Sequence, residues 1–207
     1  MIDFFLNAYK DVSTTHIVLE FIVFVFGILS VLFAKKENIW VYPTGLIATI
    51  ISVYLLFIAG YLGDMMINGY FTIMSFYGWY KWTRKVKDAD NLPITRTSNK
   101  EKIIGILLFF VTVFVVFGIY KFFDYTINKD NYVDMFASGI FFTAMWYMAN
   151  KKIENWTLWI IGDLIVTPLY AYRGLGMLSL QYLIFTILAI YAYLEWRKIL
   201  RKSNLLL

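Results

Sequence analysis

The chain has 207 residues, of which 60% are apolar, 20% aromatic and only 16% charged. A soluble domain has about 45–50% apolar and about 25% charged residues, so a water-soluble fold could not bury this much apolar surface. Cysteine is absent, which excludes a disulfide framework, a thiolate metal site and a catalytic thiol. The net charge of +5 fits cations that flank membrane helices better than it fits nucleic-acid binding.

Seven apolar segments follow one another along the chain, each near the length of about 20 residues that a membrane-spanning helix needs. In chain order they lie near 15–34, 39–61, 65–82, 103–123, 132–149, 155–172 and 177–196. The only long joint between them is the polar stretch 83–102. The sequence therefore predicts a single all-α integral membrane domain over 1–207 with seven transmembrane helices.

Positive charges are divided unequally between the two sides of this predicted bundle. Of the 19 lysines and arginines, 15 fall on the side of the C-terminus, and the other four are Lys10, Lys121, Lys129 and Arg173. Because cytoplasmic loops carry an excess of Lys and Arg, we expect a cytoplasmic C-terminus and an external N-terminus. The first residues lack a basic region followed by an apolar core, so no signal cleavage is expected.

The two ends of the chain resemble each other. A shift of 114 residues aligns Gly60 with Gly174, Tyr77 with Tyr191 and Trp82 with Trp196. A shift of similar size pairs Lys35 and Lys36 with Lys151 and Lys152, and Trp40 with Trp156. We interpret 15–82 and 132–196 as parallel three-helix repeats, joined by the cytoplasmic loop 83–102 and the linker helix 103–123. This 3+1+3 plan is that of the SWEET sugar transporters, which are built from parallel repeats.

The sixth segment contains the sharpest set of candidate functional residues. Trp156, Trp159 and Asp163 are spaced i, i+3 and i+7, and therefore share one helical face. Because an acid inside a membrane is costly, Asp163 needs a reason to be there. Two indoles beside an acid suit a flat cationic ring, which would stack on them and have its charge balanced. The alternative is that the tryptophans form an aromatic belt and that Asp163 bonds a neighbouring helix.

The third segment carries a polar stripe at helical spacing, formed by Asn68, Thr72, Ser75 and Trp79. A polar stripe facing lipid is unfavourable, so we expect it to face the interior. It could line a solute path or hold helices together. We place Asn68, Ser75 and Trp79 among the candidate substrate-binding residues, with Gln181 as a weaker member. No Gly-rich phosphate-binding motif, catalytic triad or metal cluster is evident, so we expect a transporter without a cofactor rather than an enzyme.

Several motifs resemble those of the Pnu vitamin transporter family. The spacing of Trp156, Trp159 and Asp163 resembles the WxxWxxxN/D signature of that family. The stretch YGWYKW at 77–82 is similar to the YGWYxW ending of its third core helix. The resemblance extends from about Glu20 to Lys198, and includes Pro43-Thr44-Gly45 and Glu195-Trp196-Arg197.

The resemblance implies a SWEET-like 3+1+3 bundle that forms a homotrimer in the bacterial cytoplasmic membrane. It also implies facilitated diffusion of an unphosphorylated vitamin, with a cytoplasmic kinase supplying the direction. The best-known branch of the family carries nicotinamide riboside. By the same resemblance Trp156, Trp159 and Asp163 contact the substrate, and Asn68 and Ser75 contribute to the site.

The chain departs from the riboside carriers at three positions of this motif set. Those relatives tend to have Asn where this chain has Ala48, Gln where it has Asn68, and Asn where it has Ser75. Because related branches carry thiamine, whose ring is also flat and cationic, thiamine is the alternative substrate. A seven-span signalling or scaffold protein is the alternative from another class, but such a protein has no need of an acid on a tryptophan face.

Overall fold

Seven helices are present in the part of the chain that the computed structural model describes, residues 13–58, 62–84, 92–124 and 126–204. In chain order they are α1 (Thr14–Lys35), α2 (Val41–Ile58), α3 (Leu62–Thr83), α4 (Asn99–Phe122), α5 (Lys129–Ala149), α6 (Glu154–Tyr172) and α7 (Gly176–Asn204). Each coincides with one apolar segment, so the predicted all-helical fold is confirmed. Gly60, one of the aligned glycines, lies outside the described residues.

Two helices extend beyond the apolar segments that predicted them. α4 begins at Asn99 because the hydroxyl of Ser98 accepts the backbone N–H of Glu101, at 3.3 Å, and the Glu101 carboxylate accepts the backbone N–H of Ser98, at 2.8 Å. This capping box starts the helix before its apolar residues begin. α7 continues to Asn204 with Arg201 and Lys202 in its last turn, where cations interact favourably with the helix dipole.

The helices α1–α3 are here called the first half and α5–α7 the second half. α2 packs between α1 and α3 in the first half, and α6 packs between α5 and α7 in the second half. The halves meet where α1 contacts α7 and where α3 contacts α5, while α4 lies mainly against α5. Each end helix of one half therefore contacts an end helix of the other.

Four helices, α1, α2, α4 and α7, are long and apolar enough to cross a membrane by length and composition, as judged over the described residues. α5 is instead covered by neighbouring helices along much of its length, with 12 of its 21 residues buried. A helix enclosed by other helices presents less surface to lipid, so burial within the bundle explains why α5 is less apolar.

Two tryptophans join the halves at the end of the bundle that carries Lys35, Lys151 and Arg197, here called the basic end. The indole Nε1–H of Trp82 donates to the carbonyl of Met148 at 3.3 Å, and that of Trp196 donates to the carbonyl of Ala34 at 3.0 Å. Both indoles are buried. The donors are 114 residues apart, and so are the acceptors.

The turns that follow α1 and α5 have matching backbones. Glu37 and Lys151 both have positive φ, 54° and 49°. The next residue in each turn donates its N–H to a carbonyl five residues back, Asn38 to Phe33 and Lys152 to Tyr147, both at 2.9 Å. The structure thus aligns Glu37 with Lys151, and the pairing of Lys35 and Lys36 with Lys151 and Lys152 is wrong by two residues. The two lysine pairs look alike in sequence, but the turn geometry is set by the positive-φ residue, which is Glu37 in one turn and Lys151 in the other.

The contact between α4 and α5 gives a first prediction. A Cβ atom on Gly139 would lie 2.7 Å from the ring of Phe109 and 3.0 Å from its carbonyl oxygen. Overpacking of this kind costs about 1–3 kcal/mol, so Gly139→Ala should lower the apparent melting temperature of the detergent-solubilised protein. Gly118→Ala in α4 is the matched control, because a Cβ there meets no atom within 4 Å. An equal decrease in melting temperature in both variants would contradict the packing argument.

Candidate functional site

The continuous helix α6 places Trp156, Trp159 and Asp163 on one face, as the spacing predicted. Gly162, just before the acid, allows close packing against α5, because a Cβ atom there would clash with the Phe141 ring. A larger residue would push α5 away from this face. The site therefore depends on a small residue beside the acid.

Asp163 is 2% exposed. Its backbone carbonyl accepts the Thr167 hydroxyl at 2.7 Å, a bond within α6 that leaves the side chain unused. Among the described residues, no hydrogen-bond donor or cation pairs with the Asp163 carboxylate. Since an isolated buried charge is strongly unfavourable, this carboxylate is suited to a positive partner that comes from outside the chain.

Beside the acid, rings from four helices form an aromatic wall of Phe71, Phe141, Trp159, Tyr170 and Tyr182. Trp159 stacks on Phe141 with ring centroids 5.4 Å apart, and the ring centroid of Phe71, from the first half, lies 5.9 Å from that of Trp159. Phe141 also stacks on Tyr182, with ring centroids 6.1 Å apart, and Tyr182 stacks on Tyr170, with centroids 5.2 Å apart. The aromatic wall thus crosses the seam between the two halves.

Trp156 lies in a separate layer toward the basic end. It is 2% exposed and packs edge-on against Trp196, with centroids 5.4 Å apart and planes at 88°. Tyr42, which is 114 residues earlier, packs against Trp82 in the same way, at 5.2 Å and 85°. The structure therefore matches Trp156 with Tyr42 rather than with Trp40. The indole N–H of Trp156 and the hydroxyl of Tyr42 have no hydrogen-bond partner among the described residues.

The polar stripe on α3 is engaged in helix contacts. The Thr72 hydroxyl bonds the carbonyl of Asn68 and the hydroxyl of Thr49 on α2, both at 2.9 Å. Ser75 is buried and donates to the carbonyl of Phe71 at 2.8 Å. Thr72 thus holds α2 against α3. Ser75 also lies close to α2, with its hydroxyl 3.7 Å from the place of a Cβ atom on Gly45.

The two remaining predicted site residues lie in different surroundings. Trp79 is 38% exposed, and no described ring contact joins it to the aromatic wall. Gln181 is half-buried in α7, and its amide nitrogen is 4.0 Å from the place that a Cβ atom on Gly27 of α1 would occupy. Gln181 therefore faces the seam between the halves, whereas Trp79 is partly on the outside of the bundle.

Reasoning from the sequence missed Phe71, Phe141 and Tyr182 as members of the site. In a chain that is 20% aromatic, no single ring stands out. One signal in the sequence could have identified Phe71: the shift of 114 residues aligns it with another aromatic residue, Phe185. Both rings reach the opposite half: Phe71 contacts Trp159, and Phe185 lies 3.2 Å from the Cβ place on Gly27.

Charges at the opposite end of α6 are paired, in contrast to Asp163. Arg173 bonds Asp130 at 2.9 Å and lies 3.6 Å from Asp134. Burial acts to lower the pKa of Arg173, but the carboxylates of Asp134 and Asp130 outweigh it, and the pKa is raised. This cluster fastens the end of α6 to the start of α5.

The fold is that of an integral membrane protein, and comparison with known proteins gives its class, a membrane transporter. The family described as "Nicotinamide mononucleotide transporter" matches residues 17–198, so the chain belongs to that family. The nicotinamide riboside transporter PnuC of Escherichia coli is 24% identical over 193 residues, which cover 82% of this chain and 81% of the relative. The seven-span scaffold is therefore set aside.

Two further similarities extend this result. The riboflavin/roseoflavin transporter RibM of Streptomyces davaonensis is 22% identical over 177 residues, covering 83% of this chain and 81% of RibM. A crystal structure of the vitamin B3 transporter PnuC matches with a TM-score of 0.72 and 20% identity, over 95% of this chain and 86% of that one. The overall fold is thus that of a known vitamin transporter.

The unpaired state of Asp163 gives a second prediction. Asp163→Asn replaces an acid that has no described side-chain partner by a neutral group of the same shape, so the ligand-free variant should melt at the same temperature as the unaltered chain, or a few degrees higher. Asp134→Asn is the matched control: it weakens the cluster around Arg173 and should melt lower. Thermal unfolding in detergent compares the two. A loss in Asp163→Asn as large as that in Asp134→Asn would mean that Asp163 holds helices together.

Proposed function

We propose that this protein carries nicotinamide riboside across the bacterial cytoplasmic membrane by facilitated diffusion. Intracellular phosphorylation by a kinase removes the free vitamin and so maintains the direction of uptake. The observation that carries the proposal is the unpaired carboxylate of Asp163 beside the ring of Trp159. A pyridinium ring, as in nicotinamide riboside, supplies both a flat aromatic face and a permanent positive charge.

Charge discriminates between the vitamins that the relatives' names suggest. The isoalloxazine ring of riboflavin is uncharged at neutral pH, so it would leave the Asp163 carboxylate without a partner. The thiazolium ring of thiamine is cationic and fits the same acid. Thiamine is therefore the second candidate. Ala48 and Ser75 lack the amide groups that the riboside carriers tend to have at these positions, whereas Asn68 keeps an amide on a shorter side chain.

Within the site, we assign the ring contact to Trp159 and the counter-charge to Asp163. Stacking of a cation on an indole contributes about 0.5–2 kcal/mol, with the upper value where the ring is desolvated. Asn68, Ser75 and Gln181 supply polar contacts to the remainder of the vitamin. Trp156 supports the site from the next layer, and its free indole N–H remains available to a substrate or a water molecule.

The proposed architecture is two parallel three-helix repeats joined by α4. Two features support it. The indoles of Trp82 and Trp196 make matching hydrogen bonds to the opposite half, and the end helices of the two halves contact each other, α1 with α7 and α3 with α5. Both are expected when two copies of one unit face each other about a two-fold axis. We propose further that the basic end is cytoplasmic, that the N-terminus is external and that the protein is a homotrimer.

The charge assignment gives a third prediction. Asp163→Asn keeps the shape of the side chain and removes its charge. It should therefore weaken binding of nicotinamide riboside and spare the uncharged, reduced form of the same ring. Trp159→Ala should weaken binding of nicotinamide riboside by several-fold to about thirtyfold, since every 1.4 kcal/mol is tenfold in affinity. It should also weaken the uncharged form, which loses the same ring contact. Calorimetry on the folded, purified variants measures each constant.

Two outcomes of this experiment decide between the candidates. An equal loss of both ligands in Asp163→Asn would reject the counter-charge role and leave the stacking role of Trp159 standing. Tighter binding of thiamine than of nicotinamide riboside to the unaltered chain would replace the proposed substrate by the second candidate.

Facilitated diffusion gives a fourth prediction. The membrane potential of proteoliposomes that contain the protein is held at zero with valinomycin and equal potassium on both sides. They should then take up radiolabelled nicotinamide riboside until the inside and outside concentrations are equal. A proton or sodium gradient imposed at zero potential should leave this end point unchanged, because a uniporter has no coupled ion. Accumulation above the outside concentration, with no kinase in the vesicles, would contradict the proposal.

A further inference from the structure

An ion pair joins the two halves at the basic end. The ammonium of Lys151, in the turn between α5 and α6, lies 3.1 Å from the carboxylate of Glu37, in the turn between α1 and α2. The two residues are 114 apart in the chain and have matching backbone conformations. Each half thus contributes the same turn position, with opposite charge, to one contact across the seam.

Lys151 is directed entirely toward the first half. Its side chain is 4% exposed, and its ammonium also lies 4.5 Å from the ring centroid of Trp82 on α3. A buried ammonium is stable only when it is paired, and both described partners of this one belong to the opposite half. Separating the halves at this end therefore requires Lys151 to lose Glu37 and Trp82 together.

Beneath this ion pair lies a closed aromatic layer. Trp82 and Trp196 are 6.2 Å apart, and each packs edge-on against a ring of its own half, Tyr42 or Trp156. All four side chains are at most 3% exposed. A vitamin that leaves the aromatic wall toward the basic end would meet this layer first and the ion pair second.

The turn between α5 and α6 is bonded to α4 and to the segment that precedes α4. Residues 92–97 cross the basic end and bond the α5–α6 turn: Thr95 pairs through its backbone with Lys151 and Ile153, and the N–H of Thr97 donates to Glu154 at 3.0 Å. Lys152 is further bound to Glu101 at the start of α4, at 2.8 Å. Lys151 therefore stands on a turn that is fastened to α4 and its preceding segment.

Above the ion pair is a cavity of about 320 Å³ lined by Glu37, Leu92, Pro93, Ile94, Lys151, Ile199 and Leu200. A cavity of this volume is large enough for several water molecules. Water that enters from the basic side can hydrate both charges when they separate. The cost of breaking the pair is thereby much smaller than it would be in a dry interior.

We propose that Glu37 and Lys151 form the gate that closes the solute path at the basic end. In the present structure the gate is shut. The gate opens when the first half moves away from the second half and α4, which separates the two turns. The same movement separates Trp82 from Trp196. This role requires only that the protein be a transporter, and it is the same for either vitamin.

Cross-linking tests the gate, and the natural absence of cysteine makes the experiment clean. The variant Glu37→Cys/Lys151→Cys is treated with a short, cleavable bis-methanethiosulfonate reagent. Cross-linked protein should retain binding of the radiolabelled vitamin but lose most of its transport in proteoliposomes. Dithiothreitol, which cleaves the link, should restore transport.

The matched control is Glu101→Cys/Lys152→Cys, another Glu–Lys pair at similar distance that does not cross the seam. Its cross-linked form should transport at the rate of its unlinked form. Full transport by the cross-linked Glu37→Cys/Lys151→Cys variant would overturn the proposal. Loss of vitamin binding along with transport would also overturn it, because a gate lies apart from the binding site.

A charge exchange covers the case in which the double-cysteine variant is inactive before cross-linking. Glu37→Lys alone places two cations together, and Lys151→Glu alone places two carboxylates together, so each should impair closure and transport. The double variant Glu37→Lys/Lys151→Glu restores an opposite-charge pair and should transport faster than either single variant. A double variant no faster than the single ones would overturn the proposal.

Discussion

The two hydrogen bonds from indole N–H groups to helix-end carbonyls underlie the rest of this structure. A buried indole N–H needs an acceptor, and lipid offers none. The indoles of Trp196 and Trp82 donate to the carbonyls of Ala34 and Met148, in the last turns of α1 and α5 of the opposite half. Each carbonyl also accepts a backbone N–H of the turn that follows it, from Glu37 at 3.1 Å and from Lys151 at 3.0 Å. Satisfying the two indoles therefore also fixes how the halves meet, and with it the seam that the aromatic wall crosses.

Buried charge is treated in two ways across the molecule. Lys151 has Glu37 and an aromatic ring as partners, and Asp134 has Arg173. Asp163 is buried as deeply as Lys151, yet no described group pairs with its carboxylate. Since an unpaired buried acid is costly, Asp163 is the described acid best suited to the counter-charge role that we propose for a transported cation.

The proposed site and the proposed gate lie on the same seam. Phe71 and Trp159 come from different halves, so a ring bound beside them would touch both halves. Glu37 and Lys151 join the same two halves at the basic end. In the proposed mechanism a relative movement of the halves would therefore change the site and the gate together, and a ligand that prefers one arrangement would shift the population toward it.

The sequence by itself determined the seven helices, the common face of Trp159 and Asp163, and a shift of 114 residues between the halves. These follow from local chemistry: apolar runs of membrane length, helical periodicity and the order of residues along the chain. Only the tertiary structure decided that Phe71 meets Trp159, that Trp156 belongs to a separate layer, and that Glu37 faces Lys151. Each of these contacts joins residues far apart in the chain, or depends on a positive-φ turn, and helix packing sets such distances where spacing along one helix cannot.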